Sequence, residues 1–167
     1  MELEHQHPMT TPATAARPPV PGFVTRLNPL ILRLLRLGMP MGPNTLMTVR
    51  GRRTGEPRTV PVAILRADDR EVVFAAFGEV PWVHNLRAAG RATIGTGRRA
   101  RAVRAVELTP DVAAPFLEAG LRPVMKVPLM GPMIAGWYGI ERGSTTGDYE
   151  VAARLHPAFE LTPDDRT

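Results

Sequence analysis

The chain has 167 residues, 44% of them hydrophobic, and carries a net charge of +5. That is enough apolar material for one domain with its own core, and the charge favours anionic partners: nucleic acid, acidic lipid headgroups, or phosphorylated or polycarboxylated small molecules. There is no cysteine, which excludes disulfides, thiolate nucleophiles, iron–sulfur clusters and Cys-ligated zinc, so any redox chemistry requires a cofactor.

Residues 1–20 form a polar arm of acids, histidines, Thr and Pro without an apolar h-region, read as a disordered segment of a cytoplasmic protein; His5 and His7 within it are assigned no role. From Phe23 to Leu37 the arginines Arg26, Arg33 and Arg36 interrupt a leucine-rich surface, Pro29 marks a first turn, and Gly38 with Pro40 supplies a stop. This predicts an amphipathic basic helix within 21–41, too short and too charged to span a bilayer. Three uses are open to it: packing on its own domain, peripheral membrane contact, or a lid over an apolar pocket.

Beyond Gly42 and Pro43 the punctuation is that of a meandering sheet, and the domain is expected over 42–163 with a short tail at 164–167. Strands are predicted at Thr45–Arg50, Arg58–Leu65 and Glu71–Phe77, separated by turns at Gly51–Pro57 and Ala67–Arg70. The continuous apolar run of the third suggests a central strand buried on both faces. A short helix follows, with Pro81 near its start, Val83, Leu86 and Ala89 on one side and Gly90 as its stop. Arg91–Thr96 and Arg98–Glu107 read as a hairpin around Gly95-Thr96-Gly97. Thr109-Pro110-Asp111 opens another helix, ending at Gly120. The order β-β-β-α-β-β-α predicts a small, mainly antiparallel β-barrel with flanking helices, an α+β fold rather than alternating βαβ units.

Several chemistries can be set aside. Ser144 is the only serine and lies in Gly-Ser-Thr-Thr-Gly, read as a loop without an elbow motif. His84 and His156 have no carboxylate at ligand spacing, and read as packed or hydrogen-bonded histidines. No dinucleotide fingerprint or P-loop occurs. Arg91, Arg98, Arg99, Arg101 and Arg104 read as a solvated basic face, since Arg99 and Arg101 share strand parity and Arg104 does not. Nucleic-acid binding is not expected, because aromatics to stack on bases make up only 5% of the chain.

The turn Gly51-Arg52-Arg53-Thr54-Gly55-Glu56-Pro57-Arg58 stands out. Its glycines and Thr54 can present backbone N–H groups and a hydroxyl, and Arg52, Arg53 and Arg58 supply forked cationic donors, the composition of a phosphate clamp or of a solvated loop. Pro61, inside the next strand, cannot donate to a ladder and belongs at an edge or bulge, often where a ligand approaches.

That turn, then Pro61, then Trp82-Val83-His84-Asn85-Leu86, resembles the deazaflavin-dependent nitroreductases, also called F420-dependent quinone reductases. The similarity runs from about Leu46 to Glu107 and returns at His156–Leu161. The resemblance implies a split β-barrel, FMN-binding-like in kind, and 8-hydroxy-5-deazaflavin coenzyme F420 as cofactor, with FMN as the alternative. It implies that Arg53, where the family often has Lys, and Arg58 hold the coenzyme phosphate with Arg52 and Thr54 beside them, and that Pro61 adjoins the cofactor. Ala75, Ala76, Phe77 and Gly78 would offer backbone groups to the ring, and Trp82 and Asn85 would close the pocket. No residue is assigned a catalytic acid or base role, because reduced deazaflavin delivers hydride from its own ring carbon. Quinones, enones or nitroaromatics are the implied acceptors, with Met125, Met130, Met133, Trp137, Tyr138 and Tyr149 as candidate wall residues; the stretch around Pro132–Ile140 also reads as a packed amphipathic helix. The short Gly78-Glu79-Val80-Pro81 lead into Trp82 and the Met- and Pro-rich region after residue 120 depart from the family pattern. A non-catalytic carrier of a flavin-like or fatty-acid-like ligand is the competing reading.

Overall fold

The computed structural model describes residues 44–165 together with Gly22, Leu37 and residues 29–30 and 32–35. The expected arm at 1–20 and the end of the tail lie outside the described residues. So does most of the expected 21–41 helix, although 29–30 and 32–35 are helical.

Strand β1 (Asn44–Arg50) pairs antiparallel with β2 (Pro57–Ala67) in a register running from Asn44↔Ala63 to Arg50↔Pro57. A two-residue turn returns the chain into β3 (Arg70–Phe74), with Asp68 and Asp69 both left-handed at φ 50° and 61°, as tight hairpins require and short polar side chains tolerate. Helix α1 (Pro81–Ala89) leads to β4 (Arg91–Ile94), a 3-10 turn (Gly97–Arg99) and β5 (Arg101–Glu107). Three helices follow, α2 (Pro110–Val124), α3 (Met130–Trp137) and α4 (Thr146–Leu155), before the last strand β6 (Ala158–Pro163). β6 inserts between β3 and β5, and β4 pairs back onto β1, closing an antiparallel six-stranded barrel in the order β1-β2-β3-β6-β5-β4. This is the expected split-barrel class with flanking helices.

Alternation along the strands sends side chains into two cores. Met47, Val49, Val62, Ile64, Val73, Ile94, Val103 and Phe159 fill the barrel, and Val83 and Leu86 of α1 join them. Val72 and Phe74 face the other way, packing with Phe116, Leu117 and Leu121 of α2 and Tyr149 and Ala152 of α4. β3 is therefore buried on both faces, which explains its unbroken apolar sequence.

Four expectations change. β3 ends at Phe74 rather than Phe77, because the Ala75 amide donates to the Pro157 carbonyl at 2.9 Å and the chain turns away through Gly78, at φ 69°. The hairpin strand starts at Arg101 rather than Arg98: Gly95, at φ 94°, folds the chain so closely onto Arg99 that a Cβ would lie 2.7 Å from the Arg99 carbonyl oxygen. α2 passes through Gly120 to Val124, since that glycine lets the helix settle on Leu65 of β2. Helix α4 was not expected; Thr145 and Asp148 form its capping box just after the Gly-Ser-Thr-Thr loop. Arg101 and Arg104 lie on opposite faces: Arg101 is half-buried beside Glu71, whereas Arg104 is exposed opposite Arg91.

Gly131 is the tightest point between α2 and α3, where a Cβ would overlap the backbone carbonyl oxygen of Val124. Backbone cannot rotate aside, so Gly131→Ala is expected to destabilise the fold by roughly 1–3 kcal/mol. Gly120→Ala, which meets only the end of a flexible leucine, should be near neutral once the gain of about 1 kcal/mol in helix propensity is included. Urea midpoints of the two variants check the contrast.

Candidate functional site

The turn between β1 and β2 is closed from within. Gly51 N–H donates to the Glu56 carbonyl and Gly55 N–H to the Gly51 carbonyl, both at 2.8 Å, while Glu56 N–H donates to the Thr54 hydroxyl at 3.3 Å. Gly55 supplies the φ of 72° the turn needs, and a Cβ on Gly51 would crowd the Glu56 carbonyl oxygen at 3.1 Å. The amides of Gly51, Gly55 and Glu56 are thus consumed by the turn itself. Its capacity for anions lies mainly in side chains.

Those side chains are exposed cations. Among the described residues, Arg52, Arg53 and Arg58 meet no carboxylate in an ion pair, whereas Arg66, Arg70, Arg87 and Arg101 all do. Arg52 is instead held by Asn85: the Asn85 side-chain oxygen accepts from the Arg52 backbone N–H at 3.2 Å and from its Nη1 at 3.3 Å. Asn85 is only 8% exposed, so this tie replaces water that it has lost. The two sequence motifs, 33 residues apart, meet in this contact.

Helix α1, which carries Asn85, is fixed at both ends. Pro81 stands in its first turn, Gly90 caps it at φ 63°, and Arg87 bridges Glu79 and Glu107 at 2.6–2.7 Å. Hydrogen bonds to Glu107 and then Glu79 push the Arg87 pKa further above its ordinary value. Trp82, one turn before Asn85, is half-buried against Phe159 with ring centroids 6.1 Å apart.

β2 outruns β3. It pairs with β3 only over Ile64–Ala67, so Pro57–Ala63 is bonded to β1 alone, and Pro61 sits in this unpaired edge, where its missing N–H breaks no second ladder. The loop leaving β3, Ala75–Val80, departs where that free edge begins, then delivers α1 and its Asn85 back to the turn. Turn, free edge and loop therefore surround one stretch of β2.

The loop is clamped from behind by His156, which its sequence context reads as a packed or hydrogen-bonded histidine. His156 is 2% exposed, and its Nδ1 lies 3.1 Å from the Ala75 carbonyl oxygen, so Nδ1 carries the proton and donates. The Gly78 N–H donates to the same carbonyl at 2.8 Å. The amides of Ala76 and Phe77 donate to none of the described residues. Burial holds the His156 pKa below its ordinary value despite hydrogen bonds to the Ala75 and Ala76 backbone.

The candidate acceptor wall divides. Trp137 of α3 packs on Phe77 at 5.3 Å, bringing α3 to the loop, and Tyr138 packs on His156 at 4.8 Å. Desolvation raises the Tyr138 hydroxyl pKa. Met133 is 43% exposed on α3. Tyr149, 1% exposed, belongs to the core between α2, α4 and β3, and so is not part of an accessible wall. A depression of about 360 Å³ touches the other flank of the turn, lined by Thr48, Arg50, Gly55, Pro57, Arg91 and Thr93 among others. No group of three or more potential metal-ligating side chains occurs among the described residues, and none of their helices is long and apolar enough to cross a membrane.

Because the folded-state pKa of His156 lies below its ordinary 6.5, the unfolded chain binds the proton more readily. Its contribution to stability is complete above pH 6.5 and is lost as pH falls through the folded-state value. The urea midpoint should therefore drop between pH 7.5 and 5.5, before the carboxylates titrate, and His156→Asn should flatten that step. Asn85→Ala should cost more in ligand affinity at the turn than in stability, as read by titration and urea unfolding of the same preparation.

A sequence model described as F420H(2)-dependent quinone reductase matches residues 35–123, a span that takes in the turn, the free edge, the loop and α1. No curated protein matches the chain. Among solved structures, an F420-H2 dependent reductase, FDR-A, is similar at 19% identity over 72% of this chain and 94% of its own, with a TM-score of 0.46. A FAD-binding protein from Mesorhizobium loti is similar at 14% identity over 80% and 87%, TM-score 0.45. An FMN-binding protein from Nostoc punctiforme related to pyridoxamine 5′-phosphate oxidase is similar at 11% identity over 81% and 78%, TM-score 0.44.

Proposed function

The chain belongs to the F420H(2)-dependent quinone reductase family, and from that premise we propose that it binds the reduced deazaflavin coenzyme F420 and reduces a flat, electron-poor acceptor such as a quinone, enone or nitroaromatic. The observation that carries this reading is the cluster of exposed arginines Arg52, Arg53 and Arg58, which meet no carboxylate among the described residues, next to a strand edge that pairs with β1 alone. Arg66 and Arg87, by contrast, are neutralised by neighbouring acids.

The residues present suit the coenzyme. Arg53 and Arg58 would grip its phosphate with forked donors, and the Thr54 hydroxyl, whose oxygen already accepts from Glu56, keeps its own proton free to donate. Arg50, lining the depression beside the turn, offers a further cation to an acidic tail. The N–H groups of Ala76 and Phe77, which donate to none of the described residues, would meet ring carbonyls beside Pro61, with Trp82 and Asn85 limiting the pocket. When bound, the coenzyme supplies hydride from its own ring carbon.

What remains for the chain is to bind, orient and exclude water. His156 acts at one remove, holding the Ala75 carbonyl and with it the start of the loop. It stays neutral and buried, and no proton transfer is assigned to it. Phe77, Trp137 and Met133 would form the apolar side against which an acceptor lies flat, suited by an aromatic and thioether surface. The acceptor's proton would come from solvent.

Replacing both Arg53 and Arg58 by Ala should weaken coenzyme binding roughly 100-fold or more, since each removes a charge-assisted contact, while the urea midpoint stays within error. Fluorescence titration with oxidised F420 reads the affinity; turnover with menadione reads the chemistry. Unchanged affinity in the double variant would remove the turn from the site. Binding without turnover would leave a carrier rather than a reductase.

A further inference from the structure

Between α2 and α3 the chain pushes apolar side chains into solvent. Leu129 is 92% exposed, Met130 53% and Val127 43%, with Met133 at 43% one turn further on. Leu129 holds φ 63° and ψ −53°, a backbone conformation that bulky residues rarely adopt. Pro128 and Pro132 flank it and restrict the alternatives. Nothing in either core is served by this arrangement.

The charge around the tip is one-sided. Lys126, the only lysine in the chain, stands exposed at its base, with exposed Arg122 one turn earlier on α2 and paired only within that helix, to Glu118. No Asp or Glu occurs from 119 to 140. An apolar wedge with a lysine at its base and no acid between 119 and 140 is the composition that settles at the headgroup–acyl boundary of an anionic bilayer. A second protein fits less well. A few residues on a convex point cannot supply the roughly 800 Å² per partner that a stable interface needs, whereas a fluid bilayer closes around a point.

We propose that this tip docks on anionic lipid, Leu129 and Met130 entering the boundary and Lys126 lying at the level of the phosphates. α3 continues from the tip to Trp137, which touches Phe77 of the loop, so docking would hold that end of the molecule at the bilayer surface. An apolar acceptor could then arrive from the lipid phase, a consequence that rests on the function proposed above, whereas the docking does not.

Because the chain has no cysteine, Leu129→Cys can be labelled uniquely with a polarity-sensitive NBD probe, and Thr162→Cys, at an exposed position near the end of β6, serves as the control. With vesicles of mixed phosphatidylglycerol and phosphatidylcholine, the probe at 129 should brighten and shift to the blue while that at 162 does not. Unlabelled Leu129→Glu should sediment with the same vesicles roughly tenfold or more weakly than wild type. Coenzyme titration of Leu129→Glu, unchanged from wild type, separates failure of docking from failure of the proposed function. A probe at 129 that stays aqueous on vesicles overturns the proposal. So does one already blue-shifted without them, which would place the tip against the chain's own N-terminal segment or a second copy, and so does wild-type vesicle binding by Leu129→Glu.

Discussion

The insertion of β6 between β3 and β5 is the constraint on which the rest depends. It completes two ladders at once, places Phe159 and Leu161 in the barrel interior and sets Ala158 in the core beneath α2 and α4. Arg70 anchors it by a bidentate bond to Glu160 at 2.6 and 2.8 Å while lying 4.6 Å over the Phe116 ring. Hydrogen bonding from Arg70 holds the Glu160 carboxyl below the usual range. The residues that lead into β6 also shape the site: His156 and Pro157 hold Ala75 by its carbonyl and its amide. Barrel closure and loop position are therefore one event, set by residues that lie beyond the 35–123 span matched by the family.

The distribution of charge follows from the same architecture. Acids and arginines meet between elements: Glu71 of β3 takes Arg66 from the adjacent β2 and Arg101 from β5 beyond β6, and Arg87 of α1 joins Glu79 of the loop to Glu107 of β5. Exposed pairs of this kind contribute modestly to stability, typically under about 1 kcal/mol each. They matter more for what they leave over. At the β1–β2 turn, Arg52, Arg53 and Arg58 meet no carboxylate among the described residues.

Much of this was legible locally. The turn residues, the edge character of Pro61, the double burial of β3 and the start of α1 at Pro81 follow from rules that act over a few residues: a glycine's access to positive φ, proline's missing donor, the period of apolar side chains. Misreadings arose where a distant partner overrode the local signal. Gly120 reads as a helix stop until Leu65 fills the space beside it, and Ala75–Phe77 read as strand until Pro157 and His156 claim Ala75. Tyr149 reads as a ligand aromatic until the core between α2 and α4 encloses it. Helix α4 had a usable sign in Thr145-x-x-Asp148, masked by the Gly-Ser-Thr-Thr run before it.

By itself the sequence determined which segments turn, which extend, where cationic donors crowd, and that any redox chemistry needs a bound cofactor, because these depend on the covalent limits and charges of the residues. Only the tertiary structure decided that Asn85 reaches Arg52, that a buried neutral histidine fixes the loop at Ala75, and which arginines find acids. Those outcomes turn on which groups lose water together when the barrel closes, and desolvation is a property of the packed chain.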